Sequence, residues 1–128
     1  MIWKFITFLV RKLEPEVAHQ ISLIALKLGF HPRLKRIEIP VKINNLHFTN
    51  FLGVAAGFDK NAQIIERIHY LNFGLTEVGT ITPLPQYGNP KPRVFRLEKD
   101  KAIINRNGFN NLGMAQAIKK LKRYRKKF

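Results

Sequence analysis

From residue 2 to about 28, apolar positions recur three and four apart, which is the period of an α-helix. The pattern predicts a first helix near residues 2–12, in "IWKFITFLVRK", and a second in "EPEVAHQISLIALKLG". Glu14, Pro15 and Glu16 suit a first helical turn, and Gly29 suits a stop. Val17, Ile21, Ile24 and Leu28 give the second helix one continuous apolar face. Two short amphipathic helices joined by a tight turn predict a helical hairpin over residues 1–30.

The basic stretch "FHPRLKRIEIPV" carries two prolines and reads as a linker over 31–41. Past it the period becomes that of extended chain, in a domain expected over 42–128. "VKINNLHFTN" predicts two short strands about an Asn44–Asn45 turn. "FLGVAAG" reads as a buried strand, "NAQIIERIHYLNFG" as a helix closed by Gly74, and "LTEVGTIT" as a second buried strand. Strand, helix and strand with a crossover of about a dozen residues predict a right-handed βαβ unit with parallel strands. In "PLPQYGNPKPRVFRLEKDKAIINRNGFNN", four prolines and Gly88 exclude helix, and Glu98 to Lys101 make a turn between two extended runs. This segment follows the second strand, at the end where ligands bind in parallel α/β folds. Asp59 and Lys60 stand at the matching end of the first strand, so the two places are expected to be neighbours.

Composition adds a charge problem. With 23 Lys and Arg against 8 Asp and Glu the net charge is +15, no acidic residue follows Asp100, and the last ten residues hold seven of the bases. A basic helix from about 111 to 128 follows, able to meet anionic membrane or nucleic acid, or simply to be a solvated face with an apolar stripe at Leu121 and Tyr124. No nucleic-acid recognition motif accompanies the bases, so nucleic acid is not expected as a partner. Cysteine is absent, which excludes disulfides and thiolate chemistry, and His19 and His47 read as a helix-surface and a hairpin residue with no metal spacing. The run "MIWKFITFLVRKL" is about half the length needed to span a bilayer. It suits an interfacial helix with Trp3, Phe5 and Phe8 at the headgroup boundary, or a first helix packed on its own domain.

Lys60 ends an apolar, small-residue segment, "GVAAGFDKN". A buried ammonium needs a negative partner. Read from the residues alone, an ion pair with Asp59 or Glu77 is favoured over a ligand, although adjacent residues on extended chain point to opposite faces and make Asp59 a poor partner.

Taken together, "GVAAGFDKN", "EVGTITPLPQYGNPKPRVFRL", "INRNGFNNLG" and the early "LEPEVAH" resemble the amino-terminal part of dihydroorotate dehydrogenase, in its quinone-dependent, membrane-associated class. The resemblance covers residues 1 to about 120, and as a set these motifs are highly specific. It implies a flavin-bearing (β/α)₈ barrel that oxidises dihydroorotate to orotate in pyrimidine biosynthesis and passes electrons from FMN to a membrane quinone. By motif, Ala56, Gly57, Phe58, Asp59, Lys60 and Thr80 would line the FMN, and Lys60 would also reach the substrate. Asn105, Arg106, Asn107, Gly108 and Phe109 would form the substrate loop, where amides match the edges of a pyrimidinedione. Residues 1–30 would contact the membrane peripherally, on the cytoplasmic side of the inner membrane, and line a passage for the quinone tail.

The sequence departs from the family at Phe58, where leucine is usual, at Asn107, where methionine is common, and at Phe51, where proline is frequent. Asn107 alters the expected shape of the substrate pocket. A closed eight-stranded barrel takes about 250 residues, and 128 residues supply the helical extension and the first two core strands. The expectation is therefore a truncated barrel. The class's serine base has no counterpart, because the one serine, Ser22, lies in the helix pair. No catalytic residue is assigned in this chain, and the 128 residues alone are expected to be inactive. The alternative is a non-enzymatic, small basic protein that binds anionic membrane or nucleic acid through its final helix.

Overall fold

The structure, a computed structural model, describes residues 2–32, 34–35 and 37–125. Met1 of the expected helix pair, Arg33 and Arg36 of the linker and residues 126–128 of the basic helix therefore lie outside the described residues.

Helix α1 spans Ile2–Lys12 and α2 spans Pro15–Lys27. The Glu14 carboxylate accepts from the amides of Glu16 and Val17 and caps α2, with Pro15 in its first turn. At the other end Leu28 is the cap residue, and Gly29 takes the left-handed conformation, φ +88°. The Phe30 amide bonds to the Ala25 carbonyl and the Gly29 amide to that of Leu26, the paired bonds of a Schellman stop.

The face that α2 buries differs from the one its periodicity suggests. Glu16, Ala18, Leu23 and Leu26 are buried, whereas Val17, Ile21, Ile24 and Leu28 are exposed. Leu23 and Leu26 pack with Ile64 and Ile68 in the core cluster, bordered by Val54, Phe58, Leu71 and Phe73. Helix α1 buries no residue at all, and Ile2, Phe5, Phe8 and Leu9 stand open.

Beyond the linker, β1 (Val41–Ile43) and β2 (Leu46–Phe48) form the expected antiparallel hairpin, with Asn44 at positive φ in its turn. Strands β3 (Gly53–Val54) and β4 (Leu75–Thr76) pair in parallel, Gly53 against Leu75 and Val54 against Thr76. The connection is less helical than the sequence suggests. Helix α3 is a single turn, Ile65–Ile68, followed by a 3₁₀ turn over His69–Leu71. Two observations explain the late start: Ala62 takes positive φ, and the Asp59 carboxylate captures the Gln63 and Ile64 amides at 2.8 Å, in competition with a regular first turn. The stop also comes earlier than Gly74, at Asn72, which adopts the left-handed conformation.

Strands β5 (Val94–Leu97) and β6 (Ala102–Asn105) pair antiparallel, Leu97 against Ala102, about the expected turn. Helix α4, Met114–Arg125, begins after Gly113 and buries Ala117. Lys120 Nζ ties it back to the Asn61 carbonyl at 2.9 Å.

Candidate functional site

Because β3 and β4 are parallel, the segments that leave them emerge at one end. The Gly57 amide donates to the Gly79 carbonyl at 2.8 Å, and the Gly79 amide to that of Asp59 at 3.2 Å, so the ladder continues past the strands and fixes the two loops together. Above this seam lies a recess of about 460 Å³ lined by Gly57, Lys60, Thr80, Asn89, Asn105, Arg106, Asn107, Gly108, Phe109 and Asn110. Residues expected at the cofactor and residues expected in the substrate loop thus meet in one cavity. Ala56, Phe58 and Asp59 do not line it; Ala56 is exposed, Phe58 turns toward α2, and Asp59 is fully buried beneath the loop.

Asp59 holds that loop from inside. Its carboxylate accepts from the amides of Asn61, Gln63 and Ile64, so its charge is spread over backbone donors. Lys60, next in sequence, points the other way. Its ammonium donates to the Gly57 carbonyl at 2.7 Å, and it makes no ion pair among the described residues. Glu77, the partner favoured by local reasoning, is exposed. Burial pushes the Lys60 pKa down; Glu16 opposes that shift and Arg93 adds to it. A half-buried ammonium answered only by a carbonyl is suited to receive an anionic or electron-rich ligand.

The loop over Asn105 to Phe109 is built on a scaffold of asparagines. Buried Asn111 accepts through Oδ1 from the amides of Thr82 and Gly113, and donates through Nδ2 to Thr82 Oγ1 and the Phe109 carbonyl. Asn89 donates to the Arg106 carbonyl at 2.6 Å, and its amide reaches the Asn107 carbonyl. Gly88 permits this closeness: it has φ +77°, and a Cβ there would collide with the Asn107 carbonyl. Asn105 Oδ1 accepts from Asn107, which orients the residue that departs from the family pattern.

A second recess of about 360 Å³ lies between α2 and the β5–β6 ribbon and shares Gly57, Lys60, Asn105, Asn107 and Asn110 with the first. From α2 it receives His19, Gln20 and Leu23, and from the ribbon Arg96. His19 is not a surface residue here. Its Nε2 donates to the Phe58 carbonyl at 2.7 Å, and its ring meets Phe58 edge-on. Burial lowers its pKa despite that hydrogen bond, so the neutral ring is favoured.

Two arginines join the helix pair to this assembly, and neither is evident from local sequence. Arg93 and Glu16 form a buried pair, 2.8 Å between Nη2 and Oε1, with Nε donating to both carboxylate oxygens; Nη1 meanwhile donates to the carbonyls of Tyr87 and Asn89. Arg96 Nη1 donates to the Arg11 and Leu13 carbonyls at the end of α1. The only advance signal was Glu16 itself, a carboxylate on a helix whose neighbours are apolar.

A flavin can be tested against these residues. Gly57, at φ +104°, has open space where a Cβ would stand, so a flat ring can approach its backbone. Asn110 Oδ1 is buried, without a hydrogen-bond partner, on the wall of the recess. An open glycine face, a half-buried ammonium and an unanswered acceptor fit a planar heterocycle with N–H donors. Among the described residues no group of His, Asp and Glu is arranged to hold a metal, and no helix is long and apolar enough to cross a membrane.

Known proteins resemble this chain in sequence and fold. The family model for dihydroorotate dehydrogenase matches residues 38–128. Curated relatives named "Dihydroorotate dehydrogenase (quinone)" include one from Bartonella henselae, 50% identical over 116 residues that make up 89% of this chain and 32% of the relative. Another, from Erythrobacter litoralis, is 47% identical and matches 95% of this chain and 36% of its own. The crystal structure of DHODH from Eimeria tenella in complex with ferulenol superposes with a TM-score of 0.81 at 45% identity, over 86% of this chain and 30% of that one. The chain therefore spans about a third of the length of the curated relatives it matches. Its helix pair and βαβ unit correspond to the first part of a (β/α)₈ barrel enzyme, and the chain belongs to the dihydroorotate dehydrogenase family.

Proposed function

We propose that these residues form the amino-terminal wall of the flavin and substrate site of a quinone-dependent dihydroorotate dehydrogenase. The observation that carries this reading is the single recess where Gly57, Lys60 and Thr80 meet Asn105 to Phe109. Gly57 and Thr80 would hold FMN, with Ala56, Phe58 and Asp59 shaping the loop against which it lies. The chemistry a flavin supplies there is two-electron oxidation of dihydroorotate to orotate, with a quinone as final acceptor. Lys60 would bind and orient the substrate carboxylate and offset negative charge that builds up beside it. Asn105 and Asn107 would pair with the ring amides, and Arg106 would steer the anion toward them. Arg106 donates to the Pro92 carbonyl, which keeps its guanidinium at the rim.

On the other side of Lys60, the recess under α2 would admit the quinone. Residues 1–30 would form a helical unit that contacts the membrane peripherally, 31–41 a linker, and 42–128 the start of the barrel. The exposed apolar faces of α1 and α2 support that division, since monomeric proteins rarely leave such faces uncovered.

The 128 residues alone are not expected to turn over dihydroorotate, because their single serine sits in α2, hydrogen-bonded to the Ala18 carbonyl. The direct test is a chimera in which this chain replaces the matching part of the Bartonella henselae relative. We expect dihydroorotate-dependent dye reduction by the chimera, none by the chain alone, and a loss of at least ~100-fold with Lys60→Ala. A Lys60→Ala chimera with unchanged kcat/KM would refute the role given to Lys60.

A further inference from the structure

Away from this site, the last turn of α2 meets α3 and α4 at a cleft of about 280 Å³. Lys27, Arg67, Lys120 and Arg123 line it, and among the described residues Glu66 is the one acid on its wall. Lys120 is half-buried. Its pKa is lowered, chiefly by burial; Asp59 opposes this and Lys27 adds to it. The floor offers no spare amides at Gln63 and Ile64, because Asp59 already accepts from both. An anion in the cleft would therefore be held by side chains, two of them guanidinium forks suited to phosphate oxygens.

The surroundings narrow the source of such a phosphate. On α2, Lys27 stands between Ile24 and Leu28, and Phe30 follows the helix stop; these three are 56%, 67% and 67% exposed. A phosphate carried on apolar chains would satisfy the cationic cleft and the apolar edge beside it at once. We propose that the cleft formed by Lys27, Arg67, Lys120 and Arg123 binds the headgroup phosphate of an anionic phospholipid, whose acyl chains lie along Ile24, Leu28 and Phe30. The inference rests on the membrane contact proposed above for its setting in a bilayer, and it adds a site and a lipid class to that contact.

The test compares two double variants of the whole chain that remove the same charge. Lys27→Gln with Arg123→Gln lies in the cleft, on exposed side chains; Lys119→Gln with Lys122→Gln lies on α4 outside it. Binding is measured to vesicles of phosphatidylcholine with and without phosphatidylglycerol, and to a soluble short-chain phosphatidylglycerol by NMR titration. We expect the cleft variant to lose about thirtyfold of the phosphatidylglycerol-dependent affinity and the control only about threefold or less. Equal losses, or none, would overturn the cleft. Inorganic phosphate that competes as well as the short-chain lipid would overturn the lipid assignment. If wild type ignores every vesicle yet binds the short-chain lipid through Lys27 and Arg123, the membrane reading fails and the cleft stands.

Discussion

The helix pair and the loop region around Lys60 are held together in opposite ways. In α2 a buried charge pair, Glu16 to Arg93, joins Leu23 and Leu26 in holding the helix to the rest of the molecule, while Val17, Ile21, Ile24 and Leu28 face outward. Around the candidate site, order comes from carboxylate and amide side chains that bind backbone, with Asp59 under one loop and Asn111 under the other. The contrast separates two uses of apolar sequence. In the loop region apolar residues close a small core beneath the site. In the helices much of the apolar surface is left for something outside the described fold, and polar groups share the anchoring with Leu23 and Leu26.

This contrast is open to attack at its strongest point first. Arg93→Ala leaves the buried Glu16 carboxylate with only the exposed Lys91 ammonium at 3.9 Å and frees the carbonyls of Tyr87 and Asn89, so a loss of about 3–5 kcal/mol is expected in chemical denaturation. A cost under about 1 kcal/mol would mean that the helix pair is held by its apolar contacts after all. Asn111→Ala removes bonds to both the Thr82 and Gly113 segments, and about 1–3 kcal/mol is expected, with amide exchange accelerated at Thr82 and Gly113 before any other site.

Acid should act on the seam between the two regions. The His19 pKa lies below the ordinary 6.5, so the unfolded chain binds more protons than the folded one between the two values. Stability is therefore complete above about pH 6.5 and declines as pH falls from there toward the folded value. His19→Gln, melted across the same pH range, should flatten that limb; an unchanged profile would assign the decline to other groups. The smallest effect belongs to the outward face. Ile24→Ser with Leu28→Ser should change stability by no more than about 0.5 kcal/mol while reducing vesicle binding. A large loss of stability would show that this face is packed in solution.

Much of the architecture was legible because it is local. The Asn44 turn, the Gly29 stop and the parallel strands either side of a crossover follow from turn chemistry and period, the parallel topology brings Lys60 beside the segment that holds Asn105–Phe109, and Thr80 was legible only through the family resemblance. What escaped is non-local. Glu16 and Arg93 are 77 positions apart, and nothing in either neighbourhood names the other. His19 looked like a helix-surface residue because its acceptor, the Phe58 carbonyl, lies 39 positions away. The face that α2 buries escaped for a related reason: periodicity finds an apolar stripe and is silent on whether the protein's own core covers it. The length of α3 was overestimated because a side chain competed for its first amides, and propensity does not register such competition.

The four residues of β5 and the arginine before it have a mechanical consequence. Arg96 grips the end of α1 and Arg93 the beginning of α2, so the corner between the helices is clamped by a single short ribbon. Helix α1, with 11 residues, extends about 16 Å from that clamp and buries none of them. It is a cantilever with a fixed root and a free span. A small rotation at the root is magnified over the span at Ile2 and Trp3, and the segment that holds the root at Arg96 also reaches, through Arg93, the backbone of Asn89, which holds the Asn105–Phe109 loop.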